Sequence, residues 1–159
     1  MSRWRGRRAT AVPDEQKPGL VIFSVNPKTR GAYHGLFMRG AVEKIYHALA
    51  EVNQPPRETE WTVENRIVRG EPRFRMKIVP GAVNARSHIQ LLEVKPNRGL
   101  FRLQPVTGKT HQLRLHLSGL GFGIINDRVY PELQPERDDD FERPLQLLAR
   151  EIRFHDPVT

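Results

Sequence analysis

Polar and hydrophobic positions alternate with a two-residue period in several parts of the chain, which is typical of β-strands with one buried face. The alternation is clearest at residues 88–91 and 100–106, and the turn residues at 96–99 between them predict a β-hairpin. The run at 20–23 is wholly apolar, which predicts a short buried strand. Further strands are predicted at 42–52 and 147–154, with one or two short strands between residues 61 and 79.

Two other segments have the spacing of amphipathic helices. Residues 29–38 place Ala32 and Leu36 on one side, and Gly40 follows as a stop signal. The second helix is predicted to begin near Thr110, a good N-cap residue. Its buried stripe would consist of Leu113, Leu117 and Leu120. Because strands outnumber helices and neighbouring strands look linked by hairpins, the expected fold class is α+β, a mainly antiparallel mixed β-sheet with packed helices.

Composition narrows the classes of partner. The chain has 159 residues, which predicts one domain, and 38% of them are hydrophobic, as in a packed globular protein. Its 26 Lys and Arg residues exceed its 18 Asp and Glu residues, giving a formal net charge of +8. Such a charge attracts polyanions, so nucleic acid is the first candidate partner. On charge alone, an ordinary basic protein without a nucleic-acid partner remains equally open.

The residue types that are missing exclude several kinds of chemistry. The chain has no cysteine, which rules out disulfides, zinc-thiolate sites and thiol catalysis, and is compatible with a reducing compartment. No apolar stretch approaches the roughly 18 residues that a membrane-spanning helix needs. We therefore expect a cytoplasmic protein with no membrane association.

The first residues differ from the rest of the chain. Several arginines surround Trp4 in a segment that has no apolar period. The expected organisation is a basic, mobile arm at 1–18, followed by one folded domain at 19–159.

Three common types of site fail on spacing. The segment 107–110 reads Thr-Gly-Lys-Thr, but Leu103 stands where a phosphate-binding loop needs its first glycine. His111 and His116 are five residues apart and would lie on different faces of a helix, so no metal site is expected. No Gly-x-Ser-x-Gly pattern is present for a serine hydrolase.

The block from Phe101 to Pro131 carries the strongest functional signal. By physics alone, it is a strand, a glycine turn and a helix N-terminus that presents Lys109, His111 and Arg114. That arrangement could bind an anion, although a structural helix with a solvated basic face accounts for it equally well.

This block resembles the RluA-type pseudouridine synthases. Their motif T-G-R/K-T/S-H-Q-I/L-R-x-H, followed by L-G-x-P-I-x-x-D-x-x-Y, is matched from Thr107 to Tyr130, with Gly123 in place of the proline. The stretches GLVIFSVNPKTRGAY, VEKIYHALAEV and RPLQLLAREIRFHDP also resemble family segments, so the similarity covers roughly Gly19 to Thr159.

The resemblance implies an activity and a site. Members of the family isomerise uridine to pseudouridine in RNA without a cofactor or a metal. They flip the target nucleotide out of the RNA, and an aspartate attacks or deprotonates the nucleoside. By resemblance, the catalytic residues are Asp14, Tyr46 and Arg114: the tyrosine would stack on the uracil, and the arginine would pair with the aspartate. Leu147 would line the pocket, and Lys109 and His111 would contact substrate. The expected partner is ribosomal or transfer RNA.

Two departures from the family pattern leave an alternative open. Family members carry H-R-L-D-x-x-T-S-G-L, whereas this chain reads AVPDEQKPGL at 11–20, which keeps Asp14 in register but changes its flanks. The family fold also has several strands before this motif, so the expected fold is pseudouridine synthase-like but incomplete. The alternative is a catalytically inactive, truncated homologue that binds structured RNA. An unrelated basic nucleic-acid-binding module is the third hypothesis.

Overall fold

The computed structural model describes residues 19–135, 140 and 142–158. Two helices and six strands are described, and none of the helices in these ranges is long and apolar enough to cross a membrane. In chain order they are α1 (Arg30–Met38), β1 (Glu43–Glu51), β2 (Glu60–Arg69), β3 (Met76–Val79), β4 (Ala85–Lys95), β5 (Arg98–Pro105), α2 (Gln112–Gly119) and β6 (Leu147–Arg153).

The six strands form one sheet in the order β3-β2-β4-β5-β1-β6, and every pair of named neighbours is antiparallel. The predicted hairpin is confirmed: β4 and β5 pair from Lys95 opposite Arg98 to Ser87 opposite Pro105. Asn97 in the turn has a positive φ of 61°, a conformation that asparagine tolerates better than most residues. The predicted helix at 29–38 and the predicted strands at 42–52 and 147–154 are confirmed as α1, β1 and β6.

The main core lies between one face of the sheet and α2. Phe101 and Leu103 from β5 and Ile89 from β4 pack there with Leu113 and Leu117 from α2. Successive residues of a strand point to opposite faces, so His88, Gln90, Arg102 and Gln104 lie on the other face of the same strands. The sheet therefore has one apolar face, covered by α2, and one largely polar face.

The prediction of a buried strand at 20–23 is wrong. Leu20 is 58% exposed and Phe23 is 79% exposed, and no named strand includes them. The segment joins the sheet through a single isolated parallel bridge between Gly19 and Ala149, with the Leu20 amide donating to the Ala149 carbonyl at 3.1 Å. The apolar run is thus located beside β6, but no described part of the chain packs over it to bury it.

The second helix begins near the predicted place, but the predicted N-cap is wrong. α2 begins at Gln112, and the N-cap position is His111 rather than Thr110. His111 has φ 54°, so the backbone reverses locally before the helical turn begins, and a hydrogen-bonded loop replaces a threonine cap. The predicted arm at 1–18 lies outside the described residues.

Candidate active site

Tyr46 lies on the face of the sheet that α2 covers. It pairs with Leu103 on β5 and with Ala149 on β6, and its side chain packs against the main core. Burial raises the pKa of its phenol, which stays neutral at physiological pH. Leu147, at the start of β6, is 3% exposed and belongs to the same core. The structure therefore brings Tyr46 and Leu147 to one side of the sheet, next to α2.

A buried glutamine organises the loop that leads from β5 into α2. Gln112 Oε1 accepts hydrogen bonds from the Thr107 hydroxyl at 2.7 Å and from the Lys109 amide at 3.0 Å. Its Nε2 donates to the Arg86 carbonyl at 2.9 Å and to the Ser87 hydroxyl at 2.8 Å. Because both the oxygen and the nitrogen of this buried amide are fully hydrogen-bonded, the Gln112 side chain fixes the loop against β4. The loop is where the Thr-Gly-Lys-Thr-His segment of the motif lies.

Arg114, two residues into α2, forms a buried ion pair with Asp127. Its Nε and one terminal nitrogen donate to the two carboxylate oxygens at 2.8 and 2.6 Å, the bidentate geometry that aligns a guanidinium most firmly. The side chains are 7% and 1% exposed. Asp127 also accepts from the amides of Val129 at 2.9 Å and Tyr130 at 3.0 Å. These bonds hold the carboxylate, and through it the guanidinium, in one orientation.

Tyr130 links this ion pair to the edge of the sheet. Its ring lies 5.2 Å from the Arg114 guanidinium carbon and its hydroxyl is 3.0 Å from His111 Nδ1. The hydroxyl also accepts from the Met76 amide at 2.7 Å, which ties the site to β3. Burial raises the pKa of Tyr130, while the Met76 amide and the cations of Arg114 and Arg75 oppose that shift. His111 and Arg114 are thus brought together around one tyrosine.

The outer part of the site is basic. Lys109 is exposed on the loop before α2. Lys44 on β1 is half-buried, and burial lowers the pKa of its ammonium group. A methyl group added to Gly108 would lie 3.7 Å from Lys44 Nζ, so this cation sits beside the same loop. Two cations therefore lie at this loop, an arrangement that can bind an anion.

Asp14 lies outside the described residues, and its catalytic role and its pairing with Arg114 stay predictions. The described chain begins at Gly19, which forms a parallel β-bridge with Ala149 on β6. On its other side, Ala149 pairs with Tyr46 on β1. Gly19 has φ +139°, and a Cβ there would lie 2.5 Å from the Ala149 Cβ. Only glycine fits this close approach. Residue 19 is therefore held beside β6, the strand that separates it from Tyr46 on β1. Within the described ranges, no group of three or more His, Asp or Glu residues could hold a metal ion.

Asp127 and Tyr130 belong to the family motif, yet the sequence alone assigned them no role. The pattern Asp-x-x-Tyr at 127–130 was the available signal, because an aspartate accepts readily from amides two and three residues ahead. The partner of its carboxylate, Arg114, could not be identified from this local pattern. Gln112 is likewise part of the motif and had no predicted role, although it fixes the loop.

Comparison with known proteins identifies relatives of this arrangement. A family model described as RNA pseudouridylate synthase matches residues 14–119. An uncharacterized RNA pseudouridine synthase of Chloroflexus aurantiacus is 38% identical over 133 residues, which cover 76% of this chain and 41% of the relative. The dual-specificity RNA pseudouridine synthase RluA of Haemophilus influenzae is 30% identical over 156 residues, covering 92% of this chain and 66% of that protein.

Solved structures give the same result. Human RNA Pseudouridylate Synthase Domain Containing 1 superimposes with a TM-score of 0.66 at 27% identity, covering 82% of this chain and 56% of the human chain. The chain spans between 41% and 66% of the length of the curated relatives described above. Both sequence and fold therefore place the described sheet and helices among RNA pseudouridylate synthase domains.

Proposed function

Because the chain belongs to the RNA pseudouridylate synthase family, of the RluA type, we propose that it converts specific uridines of ribosomal or transfer RNA to pseudouridine. The single observation that carries this proposal is the buried Arg114, aligned by Asp127 at the start of α2. This guanidinium lies beside the buried Tyr130 and the loop that carries Lys109. Such an arrangement suits a site that must orient a carboxylate against a nucleoside.

The reaction needs acid-base chemistry but no net oxidation. The bond between ribose C1′ and uracil N1 breaks, the base rotates, and a bond forms between C1′ and C5. The proton on C5 is lost and N1 gains one, so product and substrate are isomers. The aspartate starts the sequence by attacking or deprotonating the nucleoside, and no cofactor or metal has a step to perform.

The proposed roles follow from what each side chain offers. The Tyr46 ring supplies a flat surface on which an extruded uracil stacks, and the raised pKa of its phenol keeps it uncharged. Leu147 supplies an apolar wall on the same side of the sheet. Arg114 holds the Asp14 carboxylate ionised and aimed, while Lys109 and His111 contact substrate at the mouth of the site.

The position of Gly19 supports Asp14 as the aspartate. Residue 14 precedes Gly19 by five residues, so the two are separated by at most about 18 Å. Neighbouring strands are about 4.8 Å apart, and Ala149 separates Gly19 from Tyr46. Asp14 is therefore within reach of Tyr46, and the family match begins at this residue.

The decisive experiment measures pseudouridine formation on total ribosomal and transfer RNA, with RNA affinity measured in parallel. Asp14→Asn is expected to abolish product while leaving affinity within about twofold, because the amide keeps the shape but cannot act as nucleophile or base. Glu15→Gln removes the same charge one residue away and is the matched control, which should keep activity. Equal activity in both variants would contradict the assignment of Asp14.

The changed flanks of Asp14 favour one second candidate, an inactive homologue that binds structured RNA. Pro13 and Pro18 restrict the backbone on either side of the aspartate. This candidate predicts RNA affinity, no product from the wild-type chain, and no change of affinity in Asp14→Asn. Product from the wild-type chain would eliminate it.

A further inference from the structure

The hairpin that joins β2 to β3 carries an unusual share of the charge. Residues 66–77, called here the basic hairpin, contain five cations and one carboxylate, a net +4 against +8 for the whole chain. The cations are Arg66, Arg69, Arg73, Arg75 and Lys77, and all but Arg75 are exposed. Among residues 19–135, 140 and 142–158, no ion pair joins any of them to a carboxylate. The positive electrostatic potential of these side chains can therefore attract an external polyanion.

The tip of the basic hairpin also presents an aromatic ring. Phe74 is 57% exposed between Arg73 and Arg75, on a turn closed by backbone bonds from Gly70 to Arg75 and from Arg75 to Pro72. An aromatic residue flanked by cations matches the chemistry of an unpaired nucleotide, which offers a flat base and a phosphate. A duplex or an acidic peptide would need the cations alone.

The basic hairpin is physically joined to the candidate active site. Arg75 donates to the Pro131 carbonyl at 2.6 Å and lies 5.4 Å from the Tyr130 ring, the ring that also lies beside Arg114. A cleft of about 420 Å³ separates the hairpin from α2, and it is lined by Arg75, Ser118 and Tyr130 among others. An RNA strand that leaves the candidate active site can follow this cleft towards the tip of the basic hairpin.

We propose that the basic hairpin is an RNA-docking surface, where Arg73 and Lys77 contact phosphates and Phe74 stacks on an unpaired base near the target uridine. The inference rests on the proposed function for its choice of RNA, and deepens it by naming what the enzyme reads beside the target. The preferred substrate is a loop or a bulge with at least one unpaired neighbour, since a fully paired strand cannot offer a base to Phe74.

The test measures binding of labelled RNA by fluorescence anisotropy over a range of salt concentrations. The probes are a stem-loop with an unpaired loop and a blunt duplex of the same length. The charge variant is Arg73→Gln with Lys77→Gln. Its matched control is Lys95→Gln with Arg98→Gln on the β4–β5 turn, which removes two exposed cations elsewhere.

On both probes, the charge variant should reduce the slope of log affinity against log salt by about 0.7 to 0.9 for each phosphate that the protein no longer neutralises, the lower value applying to single strands and the higher to a duplex. The control should leave the slope nearly unchanged.

Phe74→Leu should weaken stem-loop binding by roughly fivefold to 150-fold without changing the slope, and duplex binding by less than about twofold. Phe74→Tyr, which keeps a ring, should retain the affinity. A charge variant that matches its control, or equal behaviour of the leucine and tyrosine variants, would overturn the proposal.

Pseudouridine formation by the wild-type chain, measured on the same preparations, separates the two proposals. Absence of product together with the expected binding pattern contradicts the proposed function and leaves the docking surface standing. Product together with unaltered binding in the hairpin variants contradicts the docking surface alone. A wild-type chain that binds neither probe would overturn the docking surface as well.

Discussion

The segment at 20–25 and the region around α2 differ in a way that composition would not suggest. The first is mostly apolar, yet Leu20, Phe23 and Val25 are 58%, 79% and 73% exposed. The second contains Gln112, Arg114, His116 and Asp127, which are polar and are buried as whole residues, with at most 6% of the residue surface exposed. In this molecule, burial follows the availability of partners more closely than it follows the hydrophobicity of the residue.

The physical reason is that α2 has both a layer beneath it and partners for its polar groups. The sheet covers Leu113 and Leu117, and Asp127 neutralises Arg114 within the same region. Desolvating a charge is costly unless a partner compensates it, and here four hydrogen bonds reach one carboxylate. The segment at 20–25 lies at the edge of β6 without such a layer among the described residues.

The largest effect is expected from breaking the ion pair. Asp127→Ala removes a buried carboxylate that accepts four hydrogen bonds, two from Arg114 and two from backbone amides, and should lower the free energy of unfolding by about 3–5 kcal/mol. Replacing both partners, Arg114→Met with Asp127→Asn, should cost much less, because both charges are removed and the asparagine oxygen can still accept from the amides of Val129 and Tyr130. Urea unfolding measures all three proteins.

The control for that experiment is Asp156→Ala. Asp156 is exposed and accepts a hydrogen bond from the Tyr33 hydroxyl at 3.1 Å, so its loss should cost at most about 1 kcal/mol. If Asp127→Ala were no more destabilising than Asp156→Ala, the pair would not be the element that supports α2.

Two phenylalanines sharpen the comparison directly. Phe101 is fully buried on β5 and contacts Phe122, with ring centroids 4.9 Å apart. Phe101→Ala should therefore lower the free energy of unfolding by about 3–5 kcal/mol. Phe23→Ala removes the same atoms from an exposed ring and should change it by less than about 0.5 kcal/mol. Comparable losses in the two variants would show that the segment at 20–25 is packed in solution.

Local patterns predicted the elements whose partners are close in sequence. The β4–β5 hairpin follows from alternation around Pro96 and Asn97, and α1 follows from its spacing and from Gly40. Both depend on backbone propensities and on neighbours a few residues away. The apolar run at 20–23 met the same local criteria for a strand, but burial needed a covering layer that its own residues do not encode.

The candidate site depended on contacts that no local pattern contains. Tyr130 bonds to Met76, which is 54 residues away, and Gln112 bonds to Arg86 and Ser87 on β4. The N-cap at His111 rather than Thr110 has the same origin, because the Gln112 side chain organises the preceding loop in place of a threonine cap. The roles of Asp14, Tyr46 and Leu147 came from the family motif and stay predictions.

The smallest expected effect is a pH dependence that originates in the same buried region. His116 is fully buried on α2, and its Nε2 lies 3.1 Å from Asn65 Oδ1. Its Nδ1 has no hydrogen-bond partner among the described residues, so an imidazolium would leave one N–H unsatisfied. Burial lowers the pKa of His116 to about 4, from its usual 6.5.

Because the pKa of His116 is lower in the folded state, the unfolded chain binds more protons between pH 6.5 and about 4. The contribution of the neutral ring to stability is complete above pH 6.5 and is lost as the pH falls through this window.

The variant His116→Gln has a side chain that can still donate to Asn65 but does not titrate. The difference in urea midpoint between pH 7 and pH 4.5 should therefore be smaller in His116→Gln than in the wild type. His155→Gln, at an exposed position, should keep the wild-type difference. Equal pH dependence in all three proteins would show that His116 is solvated, and that the polar face of α2 is less buried than the comparison with residues 20–25 requires.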